Sequence, residues 1–287
     1  MLSRFAVKSK FVGGFRAFST AVPPLEQKNY IIDARKPGER QQYGDVHVLK
    51  DGRSIRFEIA DEKDTELVAE QFIDGFLKHT SILRAMNAKR EDLGDLMYGM
   101  TREILPSGGT LLGLHENKVA CFRMVRYVQH DKLEEMYGPL SKPGDPTPVP
   151  VFPEDYGALI DAVPEGSFPA RVITVMLTVP ERQLGKFLPL DIKNLAFGEA
   201  VNVHQEFQQN DLGTHISALS EKLAVENGCN YIGNITVAAA SSRIAAKKGF
   251  KVLYSMPYDK FYVHGKLIFK NLWDGATASN LNLGKLE

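Results

Sequence analysis

A chain of 287 residues, 44% hydrophobic and 24% charged, is long enough to bury a full core and suits one large domain or two small ones. Its 35 basic residues balance 35 acidic ones, so no chain-wide positive field exists to hold a phosphate backbone and a nucleic-acid partner is not expected. The longest apolar run, Val172 to Val179, falls far short of the roughly 20 residues of a membrane-spanning helix.

Charge is unevenly placed at the start. Residues 1–18 carry Arg4, Lys8, Lys10 and Arg16 and no carboxylate, interspersed with Leu2, Phe5, Val7, Phe11, Val12, Phe15 and Phe18. This Arg-containing, acid-poor amphipathic pattern is that of a mitochondrial transit peptide, and Arg16-Ala17-Phe18-Ser19 predicts a mature start near Ser19 in the matrix. Cys121 and Cys229 stand alone, without metal-ligand spacing, and read as core thiols of a reducing compartment; no metal is expected. Residues 19–52, with Pro23-Pro24 and Pro37-Gly38, read as an extended arm before a domain over 53–287.

Within that domain, Ile55, Phe57 and Ile59 alternate with Arg56 and Glu58, predicting a half-buried strand. Asp61 or Asp64 then caps a helix with the face Val68, Phe72, Ile73, Phe76 and Leu77. Thr110–Leu114 and Val119–Val128 predict a β-hairpin whose turn uses Asn117 in a left-handed conformation. Eight of the fifteen prolines lie between Gly138 and Pro169, which predicts a long loop over 138–169 with one short helix at Tyr156–Val163. Val172–Leu190 reads equally as strand or helix. Farther on come a strand at Phe197–Val203, a turn at Gln208–Gly213 and a helix through Leu212, Ile216, Leu219 and Leu223 that stops at Gly228. A strand at Tyr231–Val237, a helix at Ser241–Lys248 stopped by Gly249-Phe250, and strands at Val252–Val263 and Leu267–Leu272 follow.

The turn Gln208-Gln209-Asn210-Asp211-Leu212-Gly213, followed by Thr214 and a helix, resembles the Q/R-x-x-G-x-G/A coenzyme loop of the GNAT superfamily of N-acetyltransferases. The small-residue helix ending in Gly249-Phe250, one helix and one strand later, resembles that family's second signature. From Arg53 onward the chain is similar to the arylalkylamine N-acetyltransferase branch, as a divergent member. The resemblance implies an α/β (α+β) fold with a mixed central sheet flanked by helices, and acetyl-CoA as cosubstrate. It also implies transfer to a small-molecule primary amine by direct attack in a ternary complex. Gln208, Gln209, Asn210, Asp211, Leu212, Gly213 and Thr214 would cradle the pyrophosphate with backbone N–H groups at a helix mouth. Val201 and Val203 would present backbone to the pantetheine arm, from a strand splayed off its neighbour.

Three positions depart from the family pattern. Asp211 replaces the first glycine, and a carboxylate about 5 Å from a phosphate at an effective dielectric near 20 repels it by roughly 3 kcal/mol, on the order of a hundredfold in affinity. As a helix N-cap, Asp211 would also occupy the anion-favouring end itself. The Glu-Pro pair that supplies the base in insect-type members is absent from Phe76-Leu77-Lys78-His79-Thr80-Ser81-Ile82. Glu199 on the strand, then His79, are the candidate bases, since an amine near neutral pH must lose a proton before attack. Ala245 stands where many family members carry an acidic tyrosine; Ser242 nearby is a candidate in its place, and His204 and His215 read as structural. A protein that kept the fold and lost the chemistry, serving as a binding or regulatory element, and one that uses a longer acyl-CoA are the competing readings.

Overall fold

The computed structural model describes residues 25–27 and 30–287; the proposed leader over 1–18 lies outside them. β1 (Leu25–Gln27) and β2 (Tyr30–Ile32) pair antiparallel, and β3 (His47–Val48) pairs with β4 (Ser54–Ile59), in which Ile55 and Phe57 are fully buried as their alternation predicts. Asp61 accepts from the Lys63 N–H, while Asp64 accepts from the Asp61 N–H, so both candidates together close a capping box ahead of α1 (Thr65–His79). α1 buries Val68, Phe72 and Ile73. α2 (Ser81–Ala85) and α3 (Arg90–Ile104) complete this layer.

The segment 31–52 is extended but not a separate arm. Tyr43 and Leu49 are buried in the core. The Arg40 guanidinium, with no side-chain exposure, bonds Asp33 at 2.7 and 2.8 Å, Asp64 at 2.6 and 2.9 Å and Glu58 at 3.0 Å. A charge removed from water in this way is tolerated only when its donors are all engaged, and here every side of the guanidinium meets a carboxylate. These ties join the segment to β4 and to the start of α1, and ion-pair partners of this kind have no periodic signature in a sequence.

β5 (Leu111–His115) and β6 (Lys118–Val128) form the expected hairpin, with His115 paired to Lys118. The left-handed residue is Glu116, at φ 55°, rather than Asn117. A positive φ at the first loop residue alone is the type II′ arrangement, which also fits the twist of paired strands. α4 (Leu133–Tyr137) precedes the proline-rich stretch, where α5 (Gly157–Asp161) is the one helix between residues 138 and 167. The ambiguous segment is helical, α6 (Phe168–Glu181). Ser167 caps it, Pro169 sits in the first turn where its missing N–H costs nothing, and Pro180 falls in the last turn.

β7 (Leu195–Val203), α7 (Leu212–Glu226), β8 (Tyr231–Thr236), α8 (Ala239–Lys247) and β9 (Lys251–Pro257) follow in the expected order. The end differs. The strand expected at Leu267–Leu272 shrinks to a two-residue pairing of β10 (Tyr262–Val263) with β11 (Lys266–Leu267). The true closing strand is β12 (Ala278–Lys285), which inserts between β8 and β9. Its buried Asn282 donates to Asn234 and Thr236, pairing polar groups that strand preferences count against.

The main sheet runs β3-β4-β5-β6-β7-β8-β12-β9 and is antiparallel except for β7 with β8. α1, α3 and α6 share a hydrophobic core on one face, and α7 packs its own cluster, with Phe57 and Cys121, on the other.

Candidate active site

Two features of β7 open the sheet. Along β6, Met124 faces Ala200 and the next residue, Val125, faces Gly198, so Glu199 is an extra, bulged residue. A bulge bends its strand and re-aims side chains. β7 and β8 pair from Leu195↔Tyr231 to Gly198↔Asn234 and no farther, although both strands continue. Beyond Gly198 they diverge. The His204 N–H donates to the Ala120 carbonyl at 2.9 Å. The alternation of an antiparallel strand then turns the backbone groups of Val201 and Val203 away from β6, toward the gap that β8 has left.

A cavity of about 570 Å³ passes through this gap. On the α7 face it is lined by Gln208, Gln209, Asp211, Leu212, Gly213 and Thr214, with Arg123, Asn234, Ser241 and Arg243 deeper or alongside. On the α1 face it is lined by Phe72, Phe76, His79, Met97, Phe122, Ile173 and Leu177, with Glu199 and Ala200 at the waist. Asn210 is not in the wall; its amide braces the loop by donating to the Phe207 and Gln208 carbonyls. Gln208 likewise ties the loop to the strand, its Nε2 donating to the Val203 carbonyl at 3.1 Å.

The mouth of α7 is open. Gln209 (φ 64°) and Asp211 (φ 56°) both adopt left-handed backbone, and such alternation gathers successive N–H groups into an anion-binding concavity. His215 is the first residue of α7 to donate back, to the Asp211 carbonyl. The N–H groups of Leu212, Gly213 and Thr214 have no backbone acceptor among the described residues. Asp211 does not seal this end, contrary to the N-cap expectation. Its side chain makes no cap hydrogen bond, is 75% exposed and lies 3.5 Å from the Lys50 Nζ. In water, a charge about 5 Å from a phosphate costs nearer 1 kcal/mol than the 3 expected at lower dielectric.

Glu199 is buried at the waist, its side chain 3% exposed, and its Oε1 lies 2.5 Å from the Arg126 Nη2. Arg126 also faces Glu103 at 3.6 Å and Glu181 at 3.9 Å. Three carboxylates thus share one guanidinium. Burial raises the Glu199 carboxyl above its ordinary range, with Arg126 opposing and Glu103 adding to the rise. Burial, and then the charge of Glu199, push Glu181 up to about 8. His79, at the end of α1, is held below its usual value by burial and then by Lys78, so it is neutral at pH 7. Both side chains can therefore accept a proton.

Ser242 is the catalytic candidate that the structure does not bring to the cavity. Its hydroxyl donates to Thr236 Oγ1 at 3.0 Å, inside the polar network of Asn234 and Asn282. Ala245 is buried and offers no acid on α8. His204 and His215 are structural as expected: His204 accepts from the Glu206 N–H, and His215 stacks on His47 with ring centroids 4.0 Å apart. Cys121 and Cys229 are buried free thiols. Arg123 and Arg126 are not among the candidates read from the sequence; two cations three residues apart on an otherwise apolar strand, and so on opposite faces of it, were the available signal.

No protein-family model matches the chain, and no curated protein matches it. Solved structures do. Arylalkylamine N-acetyltransferase 2 from Aedes aegypti superposes with a TM-score of 0.61 at 15% identity, covering 81% of this chain and 99% of that one. The chain has the GNAT N-acetyltransferase fold. Drosophila melanogaster polyamine N-acetyltransferase, an enzyme that forms N-acetylagmatine, gives a TM-score of 0.56 at 13% identity, covering 80% of this chain and 97% of that one. The C-terminal condensation domain of Ebony, solved with beta-alanyl-dopamine, gives 0.57 at 9% identity over 81% and 99%. Proteins of that fold with differently described chemistry lie equally near, so the fold alone does not assign an activity.

Proposed function

We propose that this protein is an acyl-CoA-dependent N-acyltransferase of the mitochondrial matrix that transfers an acetyl group to a small primary amine in a ternary complex. The observation that carries this reading is the single cavity through the sheet, with free helix-mouth amides at one end and a buried carboxylate in an apolar cleft at the other.

In this reading acetyl-CoA supplies a thioester carbonyl activated toward amines. The N–H groups of Leu212, Gly213 and Thr214, at the positive end of α7, hold the pyrophosphate. The freed edge of β7, at Val201 and Val203, pairs with the pantetheine arm and donates to the carbonyl oxygen as charge develops there. Phe72, Phe76, Met97, Phe122 and Leu177 exclude water around the acceptor. Glu199, raised by burial toward the working pH, takes the ammonium proton, and His79 stands on the same face as a second acceptor. The amine nitrogen bonds to the carbonyl carbon and gives its second proton to His79 or water, the carbon–sulfur bond breaks, and the departing thiolate is protonated from solvent, since α8 carries no acid.

Ala245 and the turned-away Ser242 favour a second reading, a fold that binds coenzyme without turnover. Thiol release from acetyl-CoA across a panel of primary amines separates the two. Amine-dependent release supports the enzyme, and coenzyme binding with no release for any amine contradicts it. The targeting proposal rests on the pattern of residues 1–18, and a fluorescent fusion of residues 1–30 that spreads through the cytosol refutes it.

A further inference from the structure

On the α7 face of the cavity, directly below the point where β7 and β8 part, lies a buried cation that makes no ion pair among the described residues. Arg123 projects from β6 beneath Gly198, where a Cβ would stand 2.5 Å from its Nη2. The absence of a side chain at Gly198 is what lets the guanidinium reach the apex of the gap. Arg123 is 6% exposed, lines the cavity, and its Nε has no hydrogen-bond partner. No ion pair among the described residues engages it. Glu221, whose charge acts on Arg123, gives its Oε2 to Lys248 at 2.7 Å, and its buried Oε1 makes no hydrogen bond to the guanidinium or to any other group. Burial drives the Arg123 value down to about 10, with Glu221 opposing, so the group stays charged at neutral pH.

A buried charge left unpaired is costly, and its persistence signals a partner that arrives from outside. The guanidinium faces away from the acceptor cleft of Phe72 and Phe76, which lies on the opposite side of the sheet. An acyl chain whose thioester is held by the freed edge of β7 would extend toward the apex of the gap, where Gly198 leaves the guanidinium uncovered. Its planar fork is matched to a carboxylate.

We propose that the acyl donor is a coenzyme A monothioester of a short dicarboxylic acid, whose free carboxylate pairs with Arg123. The proposal rests on the coenzyme-binding reading above and replaces its acetyl donor with a longer, charged acyl group. The transfer is otherwise unchanged: the amine nitrogen bonds to the thioester carbon, the carbon–sulfur bond breaks, the thiolate takes a proton, and the product is an amide that still carries the carboxylate.

The test is an acceptor-free calorimetric titration of the full chain with two carba analogues, in which a methylene replaces the thioester sulfur: succinyl-carba-CoA and acetyl-carba-CoA. The succinyl analogue is expected to bind at least about tenfold tighter, consistent with a charge-assisted bidentate pair. In Arg123→Met the ratio of the two affinities should fall to about one, and in Arg123→Lys to an intermediate value; thermal unfolding of both variants reports whether they fold. Equal affinities in the wild-type chain overturn this inference alone. Failure to bind either analogue, or coenzyme A itself, overturns both the inference and the coenzyme-binding reading.

Discussion

Asp211 stands where the coenzyme loop it resembles carries its first glycine, and its φ of 56° is a backbone angle that glycine adopts without strain. A left-handed residue with a Cβ costs about 1 kcal/mol, less for Asp, and none of that strain applies to glycine. Because the Asp211 carboxylate is in water beside Lys50, Asp211→Gly should raise coenzyme A affinity only modestly, by less than about tenfold in calorimetry. A much larger gain would mean that the native loop rejects the coenzyme. Glu199 makes a sharper prediction. Glu199→Gln preserves shape, keeps a hydrogen-bond acceptor toward Arg126 and removes the proposed base. The turnover rate should drop on the order of a hundredfold or more while coenzyme affinity stays within a few-fold. The loop was legible because its signal is local, a glutamine and a glycine at fixed spacing before a helix. The orientation of Asp211 was not, because the same residue type serves as cap, turn or exposed charge according to its backbone angle.

Between elements, the decisive contacts join strands and helices far apart in sequence. Gly75 lets α1 lie close to the splayed half of β7: a Cβ there would stand 2.4 Å from the Asn202 amide. Gly75→Ala should destabilise the protein by about 1–3 kcal/mol in denaturant unfolding, through displacement of α1 and the cleft wall it carries. Glu181 of α6 meets Glu199 of β7 across Arg126 of β6. Its carboxyl titrates near 8 in the folded state, above its unfolded value. Its contribution to stability is therefore fully present below the unfolded value and lost as pH rises through about 8. Glu181→Gln should be more stable than wild type at pH 9, with the difference shrinking toward pH 5; a pH-independent difference in thermal midpoint contradicts this. The order of elements from β7 to β9 was readable from periodicity and glycine stops. The bulge at Glu199 and the gap beside it were not, because both are matters of register, fixed only when β6 and β8 come to lie on either side of β7. β12 was missed for a related reason: Asn280 and Asn282 discourage a strand reading until the polar partners of Asn282 on β8 are known.

At the scale of the whole molecule, the N-terminal segment fastens the outer edge of the sheet to the start of α1 through Arg40. Arg40→Ala leaves Asp33, Glu58 and Asp64 buried without their shared cation, at a cost of about 3–5 kcal/mol in denaturant unfolding. The Asp64 carboxyl is opposed by burial, yet the bonds from Arg40 and the Asp61 N–H hold it below its ordinary value. Its contribution is thus present at neutral pH and lost as pH falls through the folded value, below the usual carboxylate range. An Arg40→Ala variant should lose this acid-side slope. The same sheet that is fastened at one edge is parted near its centre, and the functional reading depends on that parting being a binding cleft for a coenzyme. Calorimetric titration of the full chain with coenzyme A tests this most directly. The account predicts a single saturable site whose affinity falls when Gly213, at the helix mouth, is replaced by Asp; absence of heat at millimolar coenzyme would contradict it.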